Sequence, residues 1–193
     1  MSVLPWDSAN LTDIADYFLQ GKLVVLPTDT LYGVLAVAKN PEAVEKVYRL
    51  KGRNPAKPVI ILISEVGDLK KLSVSPTEWQ MKYLDKYWPG KVSIILTCET
   101  EELRYLHRGA NSLAFRLPDD ERLRELIKLT GPLIAPSANP EGLAPALNMA
   151  KAQEYFGDRV ALYVDGGERN SLPSTLVSLV GDKLQVLRGQ PPV

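Results

Sequence analysis

The chain has 193 residues, 45% hydrophobic and 24% charged, enough for one substantial core, which excludes a disordered chain. Lys plus Arg and Asp plus Glu each number 23, so net charge is zero and any hold on a polyanion must come from a local basic cluster. Cys98 is the only cysteine, which excludes an internal disulfide and a multi-cysteine zinc site.

That cysteine usage suits a reducing cytoplasm, the expected location. The opening "MSVLPWDSAN" has no basic n-region and no long apolar h-region, so no signal peptide is expected. No apolar run approaches the length of a membrane span, and no membrane partner is expected.

Residues 10–20, "NLTDIADYFLQ", place Leu11, Ile14, Ala15, Phe18 and Leu19 at helical spacing, with Asn10 as cap, Asp13 in the first turn and Gly21 at the end. "KLVVL" is a continuous apolar, β-branched run stopped by Pro27, and predicts a short buried strand. It runs into "LPTDTLYG", a turn with more hydroxyl and carboxyl groups than a connection needs. "NPEAVEKVYRLKG" predicts a second helix, with Asn40 as cap, Pro41 at its first position and Gly52 just beyond. "PVIILI" is another buried strand. Helical stretches follow around 65–72 and 76–87, then the strand "VSIILT".

In the second half "SLAFRL" is a strand and "DDERLRELIKLTG" a helix, with acids at its start and a Lys near its end, as the helix dipole favours. "LIA" is a short strand entering the loop "PSANPEGLAP". "MAKAQEYFG" is a helix, "VALYV" a strand and "DGGERNSLP" a loop. "STLVSLV", a "GD" turn and "KLQVLR" form a closing hairpin. Helices alternate with strands until that hairpin. The pattern predicts an α/β fold, one domain over residues 1–193 with a twisted, mixed parallel/antiparallel sheet flanked by helices.

The candidate chemistry lies at strand ends. "RLKGRNPAK", residues 49–57, holds four cations and no acid. A helix end accounts for Arg49 and Lys51. Arg53 and Lys57 lie past Gly52, where anion binding and surface decoration are both open. "APSAN" comes straight off a strand end, so Ser137 and Asn139 either orient a ligand or satisfy a local turn. Strand alternation puts Ser112, Ala114 and Arg116 on one face and Leu113, Phe115 and Leu117 on the core face. The first face is either the floor of an anion pocket or exposed surface. Arg188 and Ser174 have similarly open readings. His107 reads as a loop histidine and Cys98 as a passive residue at a strand end; no metal site is expected. No GxxxxGKS or GxxxxGKT phosphate loop and no GxGxxG, GxSxG or HExxH is present.

Taken in order, "LPTDTLYG", "KGR" followed by "KPVIILI", "WPGKVSIIL", "FRLPD", "IAPSANPEG", "DGG", "PSTLVSL" and "LRGQ" resemble the YrdC-like family of L-threonylcarbamoyladenylate synthases, from about Leu23 to Gly189. The resemblance implies a YrdC-like fold. It also implies a nucleotidyltransferase reaction in which ATP, L-threonine and bicarbonate or CO2 become threonylcarbamoyl-AMP and pyrophosphate. Mg²⁺ arrives on the nucleotide, and the product feeds tRNA threonylcarbamoyladenosine formation completed by downstream threonylcarbamoyl transferase proteins. By the same resemblance Lys51, Arg53, Ser137 and Asn139 form the catalytic tetrad. Arg53, Lys57, Ser112, Ser137 and Arg188 contact ATP, and Thr30, Arg116, Ala135 and Ser174 surround threonine. Arg116 suits the threonine carboxylate, while Thr28 and Asp29 shape the turn.

The chain departs from the family pattern at Leu62, near which some relatives carry a His, at "SLPSTLVS" and at the "GQ" after Arg188. Two alternatives accompany the synthase reading. One is an RNA-binding module of the same fold, gripping tRNA or double-stranded RNA through residues 49–57. The other is a paralogue acting on a different carbamoyl adenylate.

Overall fold

A computed structural model describes residues 2–181 and 183–190. Its strands are β1 (Ser2–Pro5), β2 (Val24–Pro27), β3 (Tyr32–Val37), β4 (Ile60–Leu62), β5 (Val92–Thr97), β6 (Ser112–Arg116), β7 (Leu133–Ile134), β8 (Leu162–Asp165), β9 (Thr175–Ser178) and β10 (Gln185–Arg188). The helices are α1 (Leu11–Leu19), α2 (Pro41–Lys51), α3 (Glu78–Tyr87), α4 (Arg104–His107), α5 (Glu121–Thr130) and α6 (Met149–Phe156).

The capping residues read from the sequence set the helix ends. Asn10 Oδ1 accepts from Thr12 N at 3.0 Å to start α1, and Asn40 Oδ1 accepts from Ala43 N at 3.0 Å to start α2. Gly52, with φ 58°, takes the left-handed conformation that stops α2 and turns the basic segment away. At α5, where the sequence showed only acids at the helix start, Asp120 is the cap, accepting from Leu123 N at 2.9 Å.

The strands form one mixed sheet in the order β1-β8-β2-β3-β7-β4-β6-β5-β9-β10. β8 lies parallel between β1 and β2, β4 parallel to β6, and β5 parallel to β9; the remaining neighbours are antiparallel. Successive side chains point to opposite faces. Val25 and Tyr163 join Val44 and Val47 of α2 in one core, whereas Val24, Leu26 and Val164 join Ile14 and Phe18 of α1 and Leu126 of α5 in another. Each fully buried side chain of this size contributes about 1.5–3 kcal/mol, so both helical layers are firmly docked.

Several elements depart from expectation. β1 and β3 have no counterpart in the sequence reading, whereas the helical stretch expected around 65–72 is present as a 3-10 helix over Val66–Leu72. His107 is not a loop residue: it sits on α4, buried, with Nδ1 accepting from Gly109 N at 3.2 Å and Nε2 near Thr100 O at 3.3 Å. β9 and β10 form the expected hairpin, though Asp182 of its turn lies outside the described residues. Cys98 is buried just past β5, and burial raises its thiol pKa. No helix among the described residues is long and apolar enough to cross a membrane.

Candidate active site

Strand ends from across the sheet enclose a cavity of about 330 Å³. Thr30 enters from the turn after β2, Arg53 from the segment after α2, and Ser112 and Arg116 from β6. Ala135 and Ser137 follow β7, and Ser174 and Arg188 come from the closing hairpin. Lys51, Lys57 and Asn139 are not on the lining. Among the described residues, the lining carries three arginines and no carboxylate.

The turn after β2 is organised by a hydroxyl. Thr28 Oγ1 donates to Leu31 O at 2.7 Å and accepts from Thr30 N and Leu31 N, both at 3.2 Å. This closes the turn and sets Thr30 Oγ1 3.1 Å from Thr28 Oγ1. Asp29 points the other way, pairing with Arg116 through Nη1 and accepting from Asp119 N at 3.2 Å. Arg116 is therefore neither bare surface nor an unpaired core charge. Its burial lowers the guanidinium pKa, Asp29 opposes that, and its Nε has no acceptor.

The segment 49–57 does not present its cations on one face. The Lys51 ammonium is buried at the end of α2 and donates to the carbonyls of Ser137 and Asn139. Burial, reinforced by Arg53, lowers its pKa to about 8, against the pull of Glu141. Arg53 donates to Pro58 O at 2.8 Å and Lys57 O at 3.3 Å, which aims it at the cavity wall. Lys57 pairs with Glu141 at 2.7 Å, and Glu141 also accepts from Asn54 N. Arg49 lines a separate open hollow with Lys22, Lys46 and Arg159.

The loop after β7 is fixed from below and within. Ser137 pairs with Gly33 across an antiparallel bridge, and Val34 N donates to Pro136 O at 2.9 Å. A Cβ on Gly33 would meet Leu35 Cδ1 at 2.8 Å and Pro136 O at 3.4 Å, so the close approach of this loop favours glycine. Asn139 Oδ1 accepts from Ser137 Oγ at 2.6 Å, while its Nδ2 donates to Leu143 O at 2.7 Å and Pro140 O at 2.9 Å. Asn139 thus orients the Ser137 hydroxyl and closes its own loop. Lys51 supports both residues from underneath.

On the hairpin side, Ser174 Oγ lies 2.8 Å from Ser93 Oγ, and Arg188 donates to Ser174 O through Nη2 at 2.9 Å and Nε at 3.1 Å. Burial first, and then the nearby charge of Arg116, lowers the Arg188 pKa. Two like-charged groups held together beside an acid-free lining make a place for an anion.

Sequence reasoning missed Tyr32, Pro58, Ile95, Pro145 and Leu176, which supply part of the apolar lining. Tyr32 was visible within "LPTDTLYG"; its hydroxyl donates to Gly167 O at 2.8 Å and accepts from Gly166 N at 2.9 Å, tying the "DGG" loop to the site. Glu141 was visible in "NPEG", but nothing in sequence linked it to Lys57. No three His, Cys, Asp or Glu side chains gather as metal ligands among the described residues.

A family model, Sua5/YciO/YrdC, described as "Telomere recombination", matches residues 16–189. A threonylcarbamoyl-AMP synthase of Bacillus subtilis is 31% identical over 188 residues, covering 96% of this chain and 54% of its own length. The human threonylcarbamoyl-AMP synthase is 32% identical over 193 aligned residues, covering 95% of this chain and 67% of its own. The chain therefore spans about half the length of the Bacillus relative. The crystal structure of Pyrococcus abyssi Sua5 complexed with L-threonine superposes with a TM-score of 0.88 at 29% identity, over 97% of this chain and 57% of that one. Escherichia coli YciO shares the fold at 19% identity, with a TM-score of 0.85 over 97% and 95% of the two chains. With a family model matching nearly its whole length and such relatives aligned along it, the chain belongs to the Sua5/YciO/YrdC family.

Proposed function

We propose that this protein is a threonylcarbamoyl-AMP synthase, a nucleotidyltransferase that joins ATP, L-threonine and bicarbonate or CO2 and releases pyrophosphate. The observation that carries the reading is the convergence of Arg53, Arg116 and Arg188 with the hydroxyls of Thr30, Ser112, Ser137 and Ser174 on one acid-free cavity. The names of the relatives and the threonine complex of the Pyrococcus protein support the choice of substrates.

In the proposed reaction the threonine amine attacks the carbon of CO2 and loses a proton, giving a carbamate. A carbamate oxygen then attacks the α-phosphorus of ATP; a P–O bond forms, the bond to the β-phosphate breaks, and pyrophosphate leaves. Both partners are anions, so the site must neutralise charge and hold the pair in line. Arg116 takes the threonine carboxylate and Thr30 orients the amino acid. Arg53 and Arg188 face the phosphates, with Lys57 joining them once released from Glu141. Ser112 and Ser137 offer hydroxyls to the nucleotide, and Ala135 and Ser174 bound the amino acid. Asn139 acts through Ser137, and Lys51 through the loop carbonyls it holds. With no carboxylate on the lining to ligate it, Mg²⁺ enters on the nucleotide phosphates as part of the substrate. The product suits transfer to a tRNA adenosine by partner proteins.

Purified protein given ATP, L-threonine and bicarbonate should release pyrophosphate, with omission of threonine or bicarbonate stopping it. Release that ignores threonine, or no release with all three present, refutes the proposal.

A further inference from the structure

The cavity arginines differ in how they are held. Arg53 and Arg188 donate to backbone carbonyls, Arg53 to those of Lys57 and Pro58 and Arg188 to that of Ser174. Arg116 is held by a carboxylate, Asp29, and it carries a buried donor with no acceptor, Nε. Arg116 and Asp29 side chains are only 5% and 3% exposed, so neither is free to swing. The second oxygen of Asp29 accepts from Asp119 N, which braces the carboxylate from another direction.

A guanidinium offers a carboxylate two forked edges, the end-on pair Nη1/Nη2 and the side-on pair Nε/Nη2. Asp29 occupies Nη1 and so closes the end-on edge. The unsatisfied atom, Nε, belongs to the other. A buried donor left without a partner is unfavourable, and the group that would satisfy it is an incoming anion.

We infer that Asp29 is a positioning residue: by holding Arg116 through Nη1, it leaves the side-on Nε/Nη2 edge to receive the α-carboxylate of the amino-acid substrate. The assignment rests on the amino-acid reading proposed above. Asp29 also offsets the positive charge that Arg116 and Arg188 would otherwise concentrate beside the cavity. A purely structural ion pair, pinning the turn 28–31 to the segment 116–119, would contribute to stability without setting amino-acid affinity.

The test is calorimetric titration of the full chain with L-threonine and, separately, with ATP, for wild type, Asp29→Asn and Asp29→Ala, alongside thermal melts. Asp29→Ala should weaken L-threonine by at least about ten-fold, the lower end for disturbing a charge-assisted contact, while ATP affinity holds or rises as the offsetting charge is lost. Asp29→Asn keeps an oxygen for Nη1 and should lose less. Threonine affinity equal to wild type in both folded variants overturns the assignment, as does a loss of ATP affinity in step with threonine. Should the Ala variant not fold, the Arg116 Nε–H resonance of wild type decides: it should shift and gain protection from exchange as L-threonine is added, and an unmoved resonance overturns the proposal. Wild type that binds ATP but no L-threonine overturns the amino-acid reading itself, and the Asp29 assignment with it.

Discussion

Replacing Lys51 with Met removes a buried ammonium while keeping a chain of similar length, and the outcome is a balance of two opposed quantities. The lysine donates to two loop carbonyls, Ser137 O and Asn139 O, each such bond to a charged group being worth about 1.5–3 kcal/mol. Against this stands its burial, which lowers the pKa from 10.5 to about 8. One pH unit is worth about 1.4 kcal/mol, so holding the charged form in the fold costs about 3 kcal/mol at pH values below about 8. The net effect of Lys51→Met near neutrality is thus a destabilisation of roughly 0–3 kcal/mol. The pH dependence follows from the sign of the shift. Between about 8 and 10.5 the unfolded chain carries a proton on Lys51 that the folded chain has shed, so wild-type stability rises with pH relative to the variant. Urea unfolding of both proteins at pH steps from 7 to about 10 should show wild type gaining about 3 kcal/mol on Lys51→Met across that window. A flat difference would show that the two carbonyls keep the ammonium charged and would refute the burial argument. Pyrophosphate release by the variant should fall even at a pH where it is fully folded, because the Ser137 loop has lost its support.

Arg53→Ala should lower turnover by about 10²–10³-fold in the same assay, since it removes a cation that the proposed mechanism sets against the phosphates; Lys57→Ala should cost less, because that ammonium is exposed and already paired with Glu141. Near-normal turnover in Arg53→Ala would remove the phosphate site. L-serine should be used about 10–200-fold less efficiently than L-threonine, the usual worth of one methyl in a fitted pocket, and equal kcat/KM for the two would mean the methyl is not sensed. Gly166→Ala would set a Cβ 2.6 Å from Pro27 Cγ, a rigid ring, and should destabilise by about 1–3 kcal/mol. Calorimetric melting should then show Tm lowered by roughly 2–4 °C per kcal/mol, and an unchanged Tm would contradict the contact.

Elements with local punctuation were legible in the sequence. Asn10, Asn40 and Gly52 announced helix ends because a cap is a short-range hydrogen bond or backbone conformation. β3 was not legible: "YGVLAV" follows β2 directly after a four-residue polar turn, and its burial is set by β2 and β7 on either side. β1 is a four-residue edge strand whose partner lies 160 residues away. At the candidate site, alternation along β6 correctly put Ser112, Ala114 and Arg116 together on one face, and that face lines the cavity. The pairing of Arg116 with Asp29 spans 87 positions, and no local pattern could reveal it. Lys51 shows the other limit. Its place in a basic run suggested an outward charge, yet the last turn of α2 carries it beneath the loop it supports.

The terminal hairpin gives the cavity a loosely hung wall. Among the described residues, β9 is joined to the rest of the sheet through β5, and β10 through β9 alone, with three of its four residues exposed. Ser174 and Arg188 ride on that margin, whereas Arg116 and Ala135 stand at the centre of the sheet. Fraying of the margin would therefore open one side of the hollow while both cores stayed folded. A ligand gripping Arg116 and Arg188 at once would act as a rivet between the rigid middle and the soft edge, so that occupancy and hairpin order rise and fall as one equilibrium.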